Sequence, residues 1–298
     1  MSNRSREQSK IARPKTFVIF GVEGFLGQIA YLYLQKYVPS AQIIGVSKRK
    51  HPFSSHIIDI TNKNRLQNFI QQYHIDYVLW YAGKSIPAFS SRNLELSYAI
   101  NVASVGHVLD ALDQETRFLY PSSRHVYINS SQILNEDSPL DHKGSSYTKQ
   151  KIEVEEMILE RHPNSVITRN FNIIGIDPIP QTFLYDILSQ RGNDQIMVFN
   201  HRQVLDVVDS RDAVRAHVHL ICHEQLQHKI YNISTGMGHS IEYIITGLMQ
   251  KPSLLIQSQS SDVPVAIIGS SQRLLDSGFQ FEYCLDDTIS WIYKNMQP

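Results

Sequence analysis

A glycine-rich loop lies between a short strand and a helix near the start of the chain. The loop, Gly21–Gly27 (GVEGFLG), follows the β-rich run Thr16–Phe20 and opens the amphipathic stretch Phe25–Tyr37. Glycines permit a tight turn and a close backbone approach to a pyrophosphate, and a helix N-terminus offers free N–H groups. The loop therefore predicts a dinucleotide site, with a turn used only for packing as the alternative. The expected contact residues are Gly21, Gly24, Phe25, Leu26 and Gly27.

Short apolar runs alternate with longer amphipathic stretches over the first 173 residues. The further predicted strands are Gln42–Val46, Tyr77–Tyr81, Arg117–Tyr120 and Ser165–Arg169, and the further predicted helices are Lys63–Tyr73, Leu94–Leu112 and Tyr147–Arg161. Continuously apolar strands separated by helices are typical of a parallel sheet covered on both faces. The predicted fold class is α/β, a doubly wound parallel sheet of the Rossmann type with a smaller C-terminal substrate lobe.

The alternation loosens after about residue 173, where the turn-rich stretch Gly175–Gln181 begins. The elements predicted beyond it are a helix near 182–191, the helices Asp209–His223, Ser240–Met249 and Leu285–Asn295, and the strands Tyr231–Ser234 and Ser253–Gln257. We predict a flexible tail at 1–14, a dinucleotide-binding domain from 15–172 plus 204–222, and a substrate-binding lobe from 173–203 plus 223–298.

Composition narrows the classes of partner. Lys plus Arg and Asp plus Glu both number 28, so no basic excess points to nucleic acid. The two cysteines, Cys222 and Cys284, are too few for a disulfide framework or a cysteine-based zinc site, and no metal is expected. No apolar run reaches the roughly 18 residues of a membrane span. These features favour a cytoplasmic protein without nucleic-acid or membrane partners; a homodimer is a compatible assembly.

The residues after the second strand bear on cofactor choice. An acidic residue there would bind the ribose 2′-hydroxyl of NAD, but the chain reads Ser47-Lys48-Arg49-Lys50. A hydroxyl and several cations suit a 2′-phosphate through charge-assisted hydrogen bonds. Ser47, Lys48 and Arg49 therefore favour NADP, with NAD also possible and a solvated basic loop as the alternative.

A Tyr-x-x-x-Lys pair, Tyr147 and Lys151, opens the helix after the fourth apolar strand. Side chains at i and i+4 share one helix face, and an ammonium can stabilise a phenolate and the nicotinamide ribose. The segment Tyr120–Tyr127 (YPSSRHVY) resembles the Ser-Ser-x-x-Val-Tyr motif of extended short-chain dehydrogenases, and this resemblance implies a catalytic hydroxyl at Ser123 that could polarise a substrate carbonyl. Ser123, Tyr147 and Lys151 are the predicted catalytic residues, and the latter two also contact cofactor.

These motifs, in this order, resemble the extended branch of the short-chain dehydrogenase/reductase superfamily, the NAD-dependent epimerase/dehydratase family. The match runs from Thr16 over nearly the whole chain. Asn101 and Glu155 also fit the family pattern. The resemblance implies additional cofactor contacts at Asp59, Ile60, Ala82, Gly83 and Asn101.

Segments in the second half resemble sugar-nucleotide enzymes, closest to GDP-6-deoxy-4-keto-mannose reductases. They are Arg169–Asn172 (RNFN), Asp209–Ala216 (DSRDAVRA), Ile230–Gly236 (IYNISTG) and Asp262–Pro264 (DVP). The resemblance implies a nucleotide-sugar substrate held by Asn172, Arg202 and Arg211. Three positions depart from the pattern: Leu205 replaces an arginine, Asn170 a proline and Ile128 a glycine.

The residues leave several reactions open. Dehydration needs an acid and a carboxylate base at positions where this chain has Arg124 and His125. A bifunctional epimerase-reductase needs a Cys/His pair near the sugar, and the sequence motifs supply no such cysteine. Both are disfavoured. We expect NADPH-dependent reduction of a nucleotide-linked 4-keto-6-deoxy sugar with Tyr147 as proton donor. The alternatives are 4-epimerisation with a tightly held cofactor, and a non-catalytic NADP-binding sensor or scaffold.

Overall fold

Twelve strands are found in the part of the chain that this computed structural model describes, namely residues 13–176, 183–251, 253–260 and 266–295. In chain order they are β1 (Thr16–Phe20), β2 (Gln42–Ser47), β3 (His56–Ile57), β4 (Tyr77–Trp80), β5 (Arg117–Ser123), β6 (Ser165–Asn170), β7 (Asn172–Ile174), β8 (Gln195–Val198), β9 (Val204–Asp209), β10 (Ile230–Ile233), β11 (Gly238–Ser240) and β12 (Leu255–Ser258).

The helices of the same described ranges cover the strands. They are α1 (Phe25–Tyr37), α2 (Lys63–Ile70), α3 (Pro87–Arg92), α4 (Leu94–Tyr98), α5 (Ser104–Leu109), α6 (Ser146–Arg161), α7 (Phe183–Leu188), α8 (Ser210–Cys222), α9 (Ile241–Met249), α10 (Gln272–Asp276) and α11 (Leu285–Asn295). A π-helical segment, Ala99–Ala103, joins α4 to α5, and a 3₁₀ turn, Arg124–Val126, follows β5.

The central sheet has seven parallel strands in the order β10-β6-β5-β4-β1-β2-β3. Read from β3, this is the doubly wound order 3-2-1-4-5-6, which β10 extends by one strand. The strand order reverses between β1 and β4, where such sheets bind ligands at the carboxyl ends of their strands. The expected fold class is confirmed.

Two cores explain why the strands are apolar without interruption. Val18 and Phe20 of β1 pack on the face covered by α2, α5 and α6. Phe17 and Ile19 of the same strand pack on the opposite face, against α1 and α8. Because successive side chains point to opposite faces of a strand, a sheet covered on both sides needs apolar residues at every position.

The C-terminal lobe is built around its own core. Strand β8 pairs with β12, and β9 lies between β7 and β11. Ile196, Ile244 and Ile292 are fully buried between these strands and helices α7, α9 and α11. This lobe stands beside the carboxyl ends of the central strands, since β7 continues directly from β6.

The structure departs from the expected division of the chain at two strands. Strand β10 belongs to the central sheet, although residues 223–298 are assigned to the lobe by sequence. Strand β9 pairs with β7 and β11, although 204–222 is assigned to the dinucleotide domain. Both strands are short, and their pairing partners are distant in sequence, so sequence patterns do not show which sheet each strand joins. Of the expected tail, residues 1–12 lie outside the described residues, as do 177–181 and Asp262–Pro264, whereas Arg13 forms an ion pair with Asp76.

The helix expected at Leu94–Leu112 is interrupted. The π-helical segment replaces its middle, and regular helix resumes as α5. A π turn widens the helix by one residue and is often found at functional sites. Here it holds Asn101, which lies buried beside the loop that follows β4. None of the helices within the described ranges is long and apolar enough to span a membrane.

Candidate active site

A cavity of about 590 Å³ lies at the carboxyl ends of β1, β4 and β5. Gly24, Phe25 and Leu26 of the glycine loop line one end, and Ser123, Tyr147 and Lys151 line the middle. Residues of the C-terminal lobe, including Leu184, Gln203 and Ile241, line the other end. The cavity therefore joins the predicted cofactor loop, the predicted catalytic residues and the lobe in one space.

The glycine loop needs its glycines because other backbone lies against it. Gly21 has φ +78°, and a Cβ there would lie 2.7 Å from the Ala82 nitrogen. A Cβ on Gly27 would collide with the Gly21 carbonyl. Gly24 begins α1 without a side-chain cap, which leaves the N–H groups of the first turn available to an anion. These features fit the pyrophosphate of a dinucleotide.

Two local motifs bring the catalytic residues together. Ser123 ends β5, and its Oγ accepts a hydrogen bond from the His125 backbone nitrogen at 3.2 Å, starting the 3₁₀ turn. Tyr147 lies in the first turn of α6, which Ser145 caps by accepting from the Thr148 nitrogen at 3.1 Å. Lys151 lies one turn later on the same face, and its Nζ donates to the Pro121 carbonyl at 2.8 Å.

Burial dominates the protonation of this group. It raises the pKa of Tyr147 to about 12, against the lowering effects of the hydrogen bond to Ser123 and the charge of Arg124. It lowers the pKa of Lys151 to about 8, while the charge of Glu155 raises it. Tyr147 is therefore a protonated donor at neutral pH, and a cation close to its oxygen is needed for it to accept and release a proton reversibly.

Asn101 fixes the loop between β4 and α3. Its Oδ1 accepts from the Lys84 nitrogen at 2.7 Å, and its Nδ2 donates to the Lys84 carbonyl at 3.2 Å and to Gln150 Oε1 at 3.0 Å. The adjoining residues Ala82 and Gly83 line the cavity. The motifs do not single out Gln150, which ties this loop to the helix that holds Tyr147.

At the end of the site predicted to bind the adenosine of the cofactor, some polar side chains already have partners within the protein. Lys48 forms an ion pair of 2.8 Å with Asp59, which lowers the pKa of that carboxyl, and Asp59 also accepts from Thr61 at 2.8 Å. The hydroxyl of Ser47 donates to the Arg49 carbonyl. The exposed side chain of Arg49 has no hydrogen-bond partner in the described ranges. Ile60 packs against the core on this side of the sheet.

Glu23 is a residue that the motif analysis does not select. It lies inside the glycine loop, and its Oε2 is buried without a hydrogen-bond partner in the described part of the chain. A buried carboxylate oxygen without a donor is unfavourable, so this atom fits a hydroxyl donor of the bound cofactor. Its signal in the sequence is only the unusual charge at a position between two glycines.

The three predicted substrate residues differ in whether they line the cavity. Asn172 lines the cavity, although its Nδ2 donates to the Asp206 carbonyl at 2.9 Å. Neither Arg202 nor Arg211 lines it. Arg211 instead pairs with Asp209 at 2.6 Å and stacks on aromatic rings of the lobe, with its guanidinium carbon 3.6 Å from the Tyr283 centroid. The charge of Arg211 is thus used to join α8 to the lobe, and its assignment to the substrate stays a prediction that these contacts do not support.

A buried network accounts for the unusual Asn170. His217 on α8 contacts Asn170 Oδ1 through Nε2 at 3.0 Å and the Tyr81 hydroxyl through Nδ1 at 3.1 Å. Burial lowers the pKa of His217 to about 3, so the ring is neutral. Because Asn170 and Tyr81 both line the cavity, the network braces two of its walls. A proline at 170 could not make this contact.

The charge of the cavity wall is positive. Lys84, Arg124 and Lys151 line it, and no Asp or Glu does so among the described residues. Cys222 and Cys284 do not line it either. Dehydration needs a carboxylate at the sugar, so the described wall supports the sequence argument against that reaction.

Comparison with known proteins is consistent with the geometry of the site. The family model for the NAD dependent epimerase/dehydratase family matches residues 17–234. The chain belongs to this family. That membership confirms the expected enzyme class, within the superfamily indicated by the motifs.

Curated relatives and solved structures extend the likeness. The chain is 27% identical to human UDP-glucose 4-epimerase over 279 residues, covering 81% of this chain and 80% of the relative. It is 23% identical to the bovine UDP-glucose 4-epimerase over 281 residues, with the same coverage. The structure of UDP-glucose 4-epimerase from Bifidobacterium longum, in complex with NAD+ and UDP, superposes with a TM-score of 0.79 at 18% identity, covering 94% of this chain and 99% of that one.

Proposed function

We propose that this protein is a nucleotide-sugar 4-epimerase that retains its nicotinamide cofactor. The observation that carries the proposal is a single cavity in which a glycine-loop cofactor site meets Ser123, Tyr147 and Lys151 without a carboxylate from the described wall. A bound nicotinamide would supply the hydride acceptor and donor. The curated relatives that cover 81% of the chain are UDP-glucose 4-epimerases, which supports this choice of reaction.

The protein's own residues divide the remaining work. Ser123 donates to the oxygen on carbon 4 of the sugar and orients it toward Tyr147. Tyr147 must be a phenolate to take the proton of that hydroxyl as the carbon is oxidised, a form that the hydrogen bond to Ser123 and the charge of Arg124 favour, and the resulting phenol returns the proton on reduction. Lys151, held by the Pro121 carbonyl, adds positive charge near the phenol and would donate to the ribose of a bound cofactor. The lobe residues Leu184 and Ile241 give the other end of the cavity an apolar lining.

Reduction of a 4-keto-6-deoxy sugar, the reaction favoured by the sequence resemblance, uses the same three residues and stays a prediction. The segment that suggested it has internal roles in the structure. Asp209 accepts from the Thr288 hydroxyl at 2.7 Å, and Asp212 accepts from the backbone nitrogens of Glu282 and Tyr283. These contacts anchor the lobe to α8. The resemblance of Asp209–Ala216 to the reductases is therefore better explained by a shared fold than by a shared sugar substrate.

The two reactions differ in cofactor stoichiometry. We expect purified protein, with its bound cofactor, to convert a UDP-, dTDP-, GDP- or CDP-linked 4-hydroxy sugar to its 4-epimer without net change in the reduced-nicotinamide absorbance. Chromatography of the released sugars gives the conversion. Stoichiometric loss of that absorbance with a 4-keto sugar would establish the reductase instead. If the protein retains its cofactor but converts neither the 4-hydroxy sugars nor the 4-keto sugars, the proposal is contradicted and a non-catalytic sensor is favoured.

For the cofactor, we propose a preference for NADP. No acidic residue follows β2, and Arg49 lies free beside the predicted ribose. Since Lys48 is already paired with Asp59, Arg49 is expected to make the stronger contact with a 2′-phosphate.

Changing Lys48 and Arg49 together to alanine is expected to narrow the NADP-over-NAD preference by more than about tenfold, because charge-assisted hydrogen bonds to the phosphate are lost. Fluorescence titration with the two reduced cofactors measures it. Arg65→Ala, an exposed arginine on α2, is the matched control and should leave the preference unchanged. An equal or reversed preference in the unmodified protein would contradict the proposal and point to Glu23 as a ribose acceptor.

A further inference from the structure

Arg124 lacks a partner although it lines the cavity. It is the first residue of the 3₁₀ turn after Ser123, and its side chain is partly buried. Within the described ranges its guanidinium forms no hydrogen bond and no ion pair. Arginines used to hold the fold behave differently: Arg169 pairs with Glu155 at 2.7 Å, and Arg211 pairs with Asp209.

An unpaired guanidinium withdrawn from bulk water is unfavourable unless a ligand supplies the counter-charge. Burial lowers the pKa of Arg124 to about 10, so the group still carries its charge at neutral pH. No Asp or Glu of the described cavity wall can compensate it. The complementary group is therefore an anion on a molecule that enters the cavity.

The position of Arg124 restricts which anion this is. Arg124 directly follows Ser123 and lines the same cavity as Tyr147, so it lies near the two side chains proposed to contact the oxygen on carbon 4. The predicted site for the cofactor pyrophosphate is the glycine loop, at the other end of the cavity. On a hexose, the diphosphate is attached at carbon 1, across the ring from carbon 4. Carbon 6, in contrast, is two bonds from carbon 4, and its oxygen atoms are three bonds away.

We propose that Arg124 binds a carboxylate at carbon 6 of the sugar, so that the preferred substrate is a nucleotide-linked hexuronic acid. A planar guanidinium matches a carboxylate through two parallel hydrogen bonds. Lys151 is engaged by the Pro121 carbonyl, and Lys84 is exposed at the rim with its Nζ 5.7 Å from the Phe89 ring centroid. The inference rests on the proposed function and replaces the 6-deoxy sugar expected from sequence.

The test measures binding in a Tyr147→Phe background, with cofactor loaded, so that effects on the phenol do not enter. Calorimetry measures the affinity for each nucleotide-linked hexose and for the corresponding hexuronic acid. The two pairs are UDP-glucose with UDP-glucuronic acid, and GDP-mannose with GDP-mannuronic acid. We expect the acid to bind at least about tenfold more tightly, and Arg124→Gln to remove that advantage, as the loss of a charged hydrogen-bonded pair implies. Arg124→Lys should restore part of it, since the charge returns without the planar fork.

Lys149→Gln is the matched control, because Lys149 is an exposed cation on α6 that does not line the cavity. It should leave the preference for the acid intact. Equal binding of hexose and acid, a preference that survives Arg124→Gln, or no binding of either acid would overturn the inference. If Arg124 acts only on the phenol, Arg124→Gln in the protein with Tyr147 intact should slow turnover of the hexose and of the acid equally. The ratio of the affinities for the two sugars would then not change.

Failure of the proposed function has a different signature. In that event the protein with Tyr147 intact turns over none of the sugars, while the binding ratio and its dependence on Arg124 still report on the inference. Conversely, efficient epimerisation of the neutral hexose without preference for the acid would support the function and overturn the inference.

Discussion

Tyr147→Phe is expected to lower turnover by about 10²–10⁴-fold, the usual contribution of positioned proton transfer. The substitution removes only the hydroxyl, and the ring keeps its place in the first turn of α6, so cofactor binding should stay near that of the unmodified protein. Single-turnover assays with the identified sugar, together with fluorescence titration of the cofactor, separate the two effects.

Lys151→Ala is the informative comparison. This residue lies beside the phenol, and its predicted second contact is the cofactor ribose, so the variant should lose both turnover and cofactor affinity. The Pro121 carbonyl also loses its donor, which loosens the end of β5. A Tyr147→Phe protein that keeps more than about a tenth of the rate would show that another group transfers the proton.

Glu155→Gln is expected to reduce the free energy of unfolding by about 3–5 kcal/mol, because it leaves a buried guanidinium without its counter-charge. Glu155 and Arg169 are 2% and 4% exposed, and their closest atoms are 2.7 Å apart. Arg169 also donates to the Glu136 carbonyl at 2.9 Å and lies over the Tyr127 ring. Urea denaturation at neutral pH measures the change.

An exposed pair provides the control. Asp194→Asn removes the partner of Lys251, but Asp194 is 93% exposed, and solvent-exposed pairs contribute little to stability. Replacing Glu155 and Arg169 together with Leu and Met should recover part of the loss, since apolar side chains leave no buried charge. A loss below about 1 kcal/mol in Glu155→Gln would mean that water reaches Arg169.

This pair matters for the site because it fixes α6 to β6. The same helix holds Tyr147 and Lys151, and the same strand ends at Asn170 on the cavity wall. The family pattern marks Glu155, but its partner cannot be read from spacing. Arg169 lies 14 residues later, and only the packing of α6 on the sheet brings the two charges together.

Local patterns were sufficient to predict the central fold and to select candidate catalytic residues. The glycine loop, the apolar strands and the Tyr147–Lys151 spacing each depend on residues within a few positions of one another. Ser123 was predicted from the resemblance of Tyr120–Tyr127 to a family motif. Arg211 was also predicted from resemblance, and in the structure its charge contacts Asp209 and two aromatic rings.

The amino-acid sequence by itself therefore determined the doubly wound sheet, and it was sufficient to predict the loop for the cofactor and the candidate residues Ser123, Tyr147 and Lys151, which the structure places around one cavity. Tertiary structure decided how the remaining polar side chains are used. His217 meets Tyr81 across 136 positions and Asn170 across 47. Arg124 is left without an acid, although the chain contains equal numbers of acidic and basic residues. Periodicity specifies which face of an element is buried, but pairing of distant charges follows only from how the elements pack, because a buried charge is stabilised by whichever group lies within a few ångströms of it.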